Sequence, residues 1–141
     1  MKIDTNLPQV SVSVVTYNSA QCLPIFLDSL RNQNSVNWEA LFYDNVSHDE
    51  TRDVIKKAAM GELFLSDSNI GYGRAHNRNF PRCRGRYLLL LNPDLQFGPD
   101  LISRLVPSST NIPNTALSVR VSSKGPNAVH SHLDISIPAK G

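Results

Sequence analysis

Short apolar segments alternate with amphipathic segments along most of the chain. Four segments rich in β-branched and aliphatic residues predict β-strands, at residues 10–15, 40–43, 62–65 and 87–91. Apolar spacing and helix-start signals predict helices between and after them, at residues 21–33, 49–60, 74–80 and 98–106. Strands that alternate with helices favour an α/β fold with an open, mostly parallel sheet wrapped by helices.

Several residues mark the expected helix boundaries. Pro24 fits only the first turn of a helix, because it lacks the N–H that later turns need. Ser47 and Glu50 match the S-x-x-E capping box, so the second helix is predicted to begin between them. Gly61 is expected to end that helix, and Pro81 to stop the third.

The residues that follow the strands are candidate site residues. Right-handed crossovers place the carboxyl ends of parallel strands at one edge of the sheet, and ligands bind outside that edge. The candidate positions are 16–18, 44–45, 66–69 and 92–94. Alternating apolar residues within 117–121 and 133–137 indicate two further edge strands.

Composition limits the class of protein. A chain of 141 residues matches the usual size of one domain. Its net charge of +2 gives no general reason to expect nucleic acid or an anionic membrane as a partner. Two cysteines cannot form a disulfide framework, and the longest apolar run, at 87–91, is far too short to span a bilayer. We therefore expect a cytoplasmic protein.

Aromatic residues are unevenly distributed. The one Trp, four Tyr and five Phe all lie at or before Phe97, and residues 107–141 contain none. The chain is therefore expected to divide into a part at 1–106 and a tail at 107–141. The tail is either a small appendage to a compact domain or the beginning of a larger domain that has been cut short.

Two acids lie just after predicted strands. Asp44 could accept hydrogen bonds from a base N–H or a ribose hydroxyl, or it could form an Asx-turn before the next helix. Asp94 ends the most apolar strand, and with Asn92 it could supply oxygen ligands to Mg²⁺ beside substrate phosphates. The alternative is that Asn92, Pro93 and Asp94 only form a turn.

The segment between these acids combines glycines and arginines. Gly71 and Gly73 begin a G-x-G-x-x-G pattern, but His76 stands at the third glycine position, so a dinucleotide-binding fingerprint is rejected. The glycines still allow backbone to approach a ligand. Five arginines with no acid among them, at 74, 78, 82, 84 and 86, fit either a phosphate-binding or nucleic-acid-binding patch or a solvated basic face.

The cysteines and histidines give little indication of a catalytic or metal-binding site. Cys22 lies on the apolar face of the first helix and is expected to pack in the core. Cys83 stands among arginines, which could lower its pKa. His130 and His132 have no further metal-ligating residues nearby, so they form a poor zinc site and are expected to be exposed.

In order and spacing, these motifs resemble glycosyltransferase family 2, whose members have the GT-A fold. The resemblance rests on the strings VSVVTYNSAQCLPIFLDSLRNQ, WEALFYDNVSHDET, SNIGYGRAHNRNF and RGRYLLLLNPD. It covers residues 10–106, and the helix at its end and the segment 116–121 still look family-like. The NPD triplet is similar to that of the rhamnosyltransferase-like branch, which carries it in place of D-x-D.

The resemblance implies a UDP- or dTDP-linked sugar as donor, and a glycan or lipid-linked acceptor that could draw the protein to the inner face of the membrane. It implies that Thr16 and Tyr17 line the base pocket and that Asn18 shapes their loop. Asp44 would bind the ring N–H of the base, supported by Asn45.

The resemblance also implies which residues lie on the sugar and phosphate side of the donor pocket. Asn69, Gly71 and Asn77 would shape the ribose and sugar side, and Arg74 could approach the donor phosphates. Asp94 would coordinate Mg²⁺ or Mn²⁺, with Asn92 near the ribose or the metal. The ion would offset charge on the leaving diphosphate.

One family feature has no match in this sequence. Inverting transfer needs a carboxylate base that deprotonates the acceptor, and the family carries it downstream, where this chain offers only Asp134. The base is therefore unknown, and a C-terminally truncated domain is expected.

Three hypotheses stay open: a donor-binding part of a transferase, a non-catalytic module that binds nucleotide sugars, and a nucleic-acid contact through the arginines. The low net charge counts against the third.

Overall fold

The computed structural model describes residues 6–34 and 36–106 in full, together with the backbone of a strand at 118–121. Within these residues, β-strands and α-helices alternate from the beginning, as the sequence predicts. The elements are β1 (Val10–Thr16), α1 (Leu23–Arg31), β2 (Trp38–Asp44), α2 (Thr51–Ala58), β3 (Glu62–Leu65), α3 (Tyr72–Asn79), β4 (Tyr87–Leu91), α4 (Leu101–Leu105) and β5 (Ser118–Val121).

The five described strands form one parallel sheet with the order β3-β2-β1-β4-β5. The predicted parallel α/β sheet is therefore confirmed. So is the first of the two predicted tail strands, because β5 pairs with β4 at one edge. The second, at 133–137, lies outside the described residues. Thr16 is in register with Asp44, and Asp44 with Leu65, so three strands end at one level.

The central strand is β1, and all seven of its residues are buried. On one side of the sheet, Phe26 and Leu30 of α1 belong to the same apolar core as Val12 and Val14. On the other side, α3 contacts β1 and β2. None of the described helices is long and apolar enough to cross a membrane.

One face of β4 is not fully covered in the described part of the chain. Leu88 and Leu90 are only partly buried. They are in register with Ser11 and Ser13 of β1, and so share the face on which α3 packs. Since α3 lies over β1 and β2, it leaves this face of β4 partly open.

The predicted capping box is wrong. The residue before α2 is Glu50, which makes no side-chain capping bond. Ser47 instead donates its hydroxyl to Asp44, and Val46 between them adopts a left-handed conformation with φ of 60°. The first turn of α2 is capped by Asp49, whose Oδ1 accepts the Thr51 N–H at 3.0 Å.

Two other helix boundaries differ from expectation. Ala59, with φ of 51°, ends α2 before Gly61. Gly61 has a different role, because a Cβ there would lie 2.1 Å from the carbonyl oxygen of Ala40, so only glycine allows this close approach to β2. Pro81 does not simply stop α3, since it lies inside a 3₁₀ turn at Phe80–Arg82 that continues it.

Candidate functional site

An open cleft of about 510 Å³ lies at the carboxyl edge of the sheet. Its walls come from the segments that follow β1, β2, β3 and β4 and from the beginning of α3. The lining includes the predicted site residues Tyr17, Asn18, Asn45, Asn69, Asn92 and Asp94. These residues are far apart in sequence, and they meet because the parallel strands end together.

The loops after β1 and β2 are bound to each other. The Asn18 N–H donates to Ser47 Oγ at 2.9 Å, and Asn18 Oδ1 accepts the His48 N–H at 2.8 Å. The Ser19 N–H donates to Thr51 Oγ1 at 2.7 Å. Asn18 has φ of 46°, a conformation that Asn tolerates better than most residues. The paired loops hold the neighbouring Tyr17 with half of its surface exposed to the cleft.

Asp44 lies behind the cleft lining, with no surface exposed. Its Oδ1 accepts the hydroxyl of Thr16 at 2.9 Å, and its Oδ2 accepts the Ser47 N–H at 2.9 Å and Arg52 Nε at 2.7 Å. Burial acts to raise the pKa of Asp44, but the bonds from Ser47, Arg52 and Thr16 outweigh it, so the pKa lies below its usual value. Thr16 is equally buried, and the predicted contact of both side chains with a base stays a prediction.

Asn45 connects the cleft to the loop after β3. Its Nδ2 donates to the carbonyl oxygen of Gly71 and its Oδ1 accepts the Ile70 N–H, both at 3.2 Å. Asn69 Oδ1 accepts the N–H of Gly71 at 3.0 Å. Gly71 has φ of 86°, which glycine adopts without strain. Gly71 therefore shapes the loop that carries Asn69, while Asn45 and Asn69 line the cleft.

The residues after β4 place an amide and an exposed carboxylate in the cleft lining. Asn92 Oδ1 accepts the hydroxyl of Tyr72 at 2.7 Å, and the Tyr72 ring packs edge-on against His76 with centroids 4.4 Å apart. Asp94 is exposed, and no described residue donates a hydrogen bond to it. Sequence reasoning missed Tyr72 as a lining residue. Its place one residue after Gly71, where a helix begins at the sheet edge, was the available signal.

The described residues contain no cluster of three or more His, Cys, Asp or Glu side chains that could hold a metal ion alone. One exposed carboxylate, Asp94, does fit Mg²⁺ or Mn²⁺, because such ions use one or two carboxylates when substrate phosphates supply other ligands. The Asn92 carbonyl oxygen already accepts the Tyr72 hydroxyl, so it is a weaker candidate ligand.

Arg74 and Asn77 do not line this cleft. They line a separate depression of about 390 Å³ with Ile70 and Arg78. The reason is the helical period: Tyr72 and His76 are one turn apart and share one side of α3, while the side chains at 74, 77 and 78 are exposed on another. Their predicted roles beside the donor stay predictions.

Both cysteines differ from expectation. Cys22 is only partly buried and lines the cleft, and burial, followed by the nearby charge of Asp94, raises its pKa. Burial raises the pKa of Cys83 to about 11, so the predicted lowering by arginines is wrong. The neighbouring cations are engaged elsewhere, since Arg84 pairs with Glu39 at 3.0 Å. His130 and His132 lie outside the described residues.

Comparison with known proteins identifies related chains. The family model described as Glycosyl transferase family 2 matches residues 11–139. An undecaprenyl-phosphate 4-deoxy-4-formamido-L-arabinose transferase of Aeromonas hydrophila is 32% identical over 111 residues, which are 73% of this chain and 34% of that protein. The chain spans about a third of the length of the curated relatives that it matches.

Solved structures share the fold. S. aureus TarS 1-349 in complex with UDP-GlcNAc has a TM-score of 0.62 and 25% identity, over 68% of this chain and 29% of that one. The mannosyltransferase PcManGT from Pyrobaculum calidifontis, in complex with GDP-Man and Mn²⁺, has a TM-score of 0.64 and 23% identity, over 70% and 31%. The second likeness concerns the fold alone.

Proposed function

Since the chain belongs to glycosyl transferase family 2, we propose that its cleft binds a nucleoside-diphosphate sugar and serves its transfer to an acceptor hydroxyl. One observation carries the proposal: an exposed carboxylate at the end of β4, Asp94, shares a cleft with Tyr17, Asn45 and Asn69 at the carboxyl edge of the sheet. The ligands of TarS and PcManGT are nucleotide sugars, which supports this class of donor.

The two walls of the cleft have different proposed roles. The exposed ring of Tyr17 and the amide of Asn45 hold the base, and Asn69 holds the ribose side. Asp44 is a positioning residue, because it accepts bonds from Ser47 and Ser47 in turn accepts the N–H of Asn18. Thr16 supports it by donating its hydroxyl to Asp44. On the opposite wall, Asn92 contacts the ribose or a phosphate through its amide nitrogen, since its oxygen accepts the Tyr72 hydroxyl.

We assign Asp94 as the protein ligand of Mg²⁺ or Mn²⁺ on the donor diphosphate. Bound there, such an ion offsets the negative charge that develops on the leaving diphosphate. Asp94 suits this role because no described residue competes for its oxygens. The complex of PcManGT with Mn²⁺ supports the choice of metal.

Finer assignments are part of the same proposal. The NPD triplet at 92–94 supports the rhamnosyltransferase-like branch and a UDP- or dTDP-linked donor. The Aeromonas relative, named for an undecaprenyl-phosphate substrate, supports a lipid-linked or glycan acceptor in polysaccharide or cell-wall synthesis. Such an acceptor would place the reaction at the cytoplasmic face of a membrane, with inversion at the anomeric carbon.

Calorimetric titration tests the donor site. UDP and dTDP are titrated with and without Mn²⁺ into the wild-type chain, Asp94→Ala and the matched control Asp67→Ala, an exposed acid that does not line the cleft. We expect Mn²⁺ to strengthen binding to the wild type and to Asp67→Ala, and to have little effect on Asp94→Ala. A folded wild-type protein that binds neither nucleotide contradicts the proposal.

A second candidate function is a module that binds nucleotide sugars without transferring them. It is favoured by one observation: Asp94 is the acid that lines the cleft within the described residues, and its assignment to the metal leaves no described carboxylate there to deprotonate an acceptor. Incubation with a radiolabelled UDP- or dTDP-sugar and lipid-phosphate or glycan acceptors distinguishes the two. Transfer of label to any acceptor excludes the non-catalytic module.

A further inference from the structure

A second concave surface lies outside the cleft, along the exposed side of α3. One depression is lined by Ile70, Arg74, Asn77 and Arg78. A second depression, of about 640 Å³, shares Asn77 and Arg78 with the first and extends to Arg82. Because the two share residues, they form one continuous surface, which we call the α3 groove. Its far wall is formed by Tyr43 and by residues 63–65 of β3.

The α3 groove carries concentrated positive charge. Arg74 and Arg78 are four residues apart on α3, a spacing that places helical side chains on one face, about 5–6 Å apart, and Arg82 follows in the 3₁₀ turn after α3 and lines the same groove. All three are exposed, and none forms an ion pair within the described residues. Other arginines are neutralised, as in Arg84 with Glu39 at 3.0 Å. No acid occurs in the sequence between residues 68 and 93.

Evenly spaced guanidinium groups fit a chain of anions. Arginine binds phosphate and carboxylate groups through two parallel hydrogen bonds, and three arginines along a groove match repeated charges better than one isolated ion. Asn77, between Arg74 and Arg78, adds an amide that can bond to hydroxyl groups. The surface therefore suits a linear polymer with both hydroxyl and anionic groups.

The groove begins beside the cleft. Asn69 lines the cleft and the next residue, Ile70, lines the groove. A chain seated along Arg82, Arg78 and Arg74 would therefore bring one end to the rim of the cleft. This continuity is what an acceptor polymer requires.

We propose that the α3 groove binds a linear anionic glycan, with carboxylate or phosphodiester groups along its length, as the acceptor chain. The acceptor role rests on the proposed function, whereas the binding itself does not. Nucleic acid fits less well, because stacking of bases needs open aromatic faces and the Phe64 ring is covered by the Arg82 guanidinium at 3.6 Å. A bilayer fits less well because the surface is concave and, within it, Leu65 is the exposed large apolar residue.

Binding to polygalacturonate at low salt, measured by calorimetry, tests the proposal. The same titration is repeated with three other ligands: neutral dextran, a single-stranded oligonucleotide and phosphatidylglycerol vesicles. The test variant is Arg74→Gln/Arg78→Gln, and the matched control is Lys56→Gln/Lys57→Gln, which removes the same charge from exposed positions on α2. Poly(glycerol phosphate), a hydroxyl-bearing phosphodiester polymer, replaces polygalacturonate in a parallel series, to separate phosphodiester from carboxylate recognition.

We expect the wild type to bind polygalacturonate or poly(glycerol phosphate) and not dextran. The arginine variant should bind at least about tenfold more weakly, a change typical of lost charge-assisted hydrogen bonds, and the lysine variant within about twofold of the wild type. Equal losses in both variants, no polymer binding, or tighter binding of the oligonucleotide or vesicles would overturn the proposal. UDP binding by the wild type separates the outcomes: binding of UDP without polymer refutes the α3 groove alone, and binding of polymer without UDP refutes the donor site alone.

Discussion

Asp44 and Asp94 both stand at the carboxyl ends of parallel strands, yet their surroundings are opposite. Asp44 is fully buried and accepts hydrogen bonds from Thr16, Ser47 and Arg52. Asp94 is exposed in the cleft and accepts none from the described residues. A carboxylate whose oxygens are occupied stabilises the fold, whereas one with free oxygens is available to a ligand.

The same contrast extends to the segments around the two acids. The loop after β2 is bonded to the loop after β1 at several points, including Asn18 with Ser47 and Ser19 with Thr51. Among residues 92–94, Asn92 makes one such side-chain bond within the described residues, with Tyr72. The loops after β1 and β2 are therefore held by each other, whereas the Asp94 carboxylate in the cleft lining accepts no hydrogen bond from the described residues. Four predictions test this difference.

The largest effect is expected from Asp44→Asn. This substitution removes the charge that pairs with Arg52 and places an amide among the N–H and O–H donors. Breaking a buried ion pair at one partner lowers the free energy of unfolding by about 3–5 kcal/mol, and the partial exposure of Arg52 puts the expected value near the lower end, about 3 kcal/mol. Urea unfolding followed by circular dichroism measures it. A decrease of less than about 1 kcal/mol in the free energy of unfolding would show that Asp44 is not important for stability.

The pH dependence of stability should follow from the same carboxylate. The pKa of Asp44 is lowered in the folded protein, so its charged form stabilises the fold above the unfolded pKa. That contribution is lost as pH falls through the folded pKa, below about pH 5. Urea unfolding between pH 7 and pH 3 should show a smaller acid loss for Asp44→Asn than for the wild type, although Glu39 and Asp49 also have lowered pKa values. Equal acid dependence contradicts the prediction.

Val46→Gly should stabilise the protein by about 1 kcal/mol. A β-branched residue with positive φ is strained by about 1–3 kcal/mol, and glycine removes that strain while losing more entropy on folding. Thermal unfolding measures the change. Lys56→Gly, at an exposed position inside α2, is the control and should destabilise by a similar amount. Destabilisation by both substitutions would show that the Val46 side chain packs usefully despite its backbone.

The smallest effect on stability is expected from Asp94→Asn. No described residue bonds to this carboxylate, so the free energy of unfolding should change by less than about 0.5 kcal/mol. The urea unfolding used for Asp44→Asn gives a direct comparison. A large loss of stability would mean that Asp94 supports the fold, and it would remove the distinction between the two acids.

Much of the fold was predictable because it depends on local patterns. The apolar strands at 62–65 and 87–91 match β3 and β4 at both ends, and the alternation of strands and helices predicted the parallel sheet. The prediction of a capping box at Ser47 failed because the Ser47 hydroxyl donates to Asp44 instead, a contact that the S-x-x-E pattern alone does not reveal. The pKa of Cys83 was predicted in the wrong direction because its sequence neighbours are arginines, whereas its spatial surroundings are buried and include Glu39.

The sequence by itself determined which residues reach the carboxyl edge of the sheet, because strand direction and strand length fix where each loop begins. It could not determine which of them face the cleft. Only the tertiary structure placed Asp44 inward and Asn45 and Asp94 in the cleft lining, because side-chain direction at a strand end depends on the turn that follows and on donors brought from distant segments, such as Thr16. The turn at Val46 and the position of Arg52 determine which hydrogen bonds Asp44 accepts, and neither follows from the residue type.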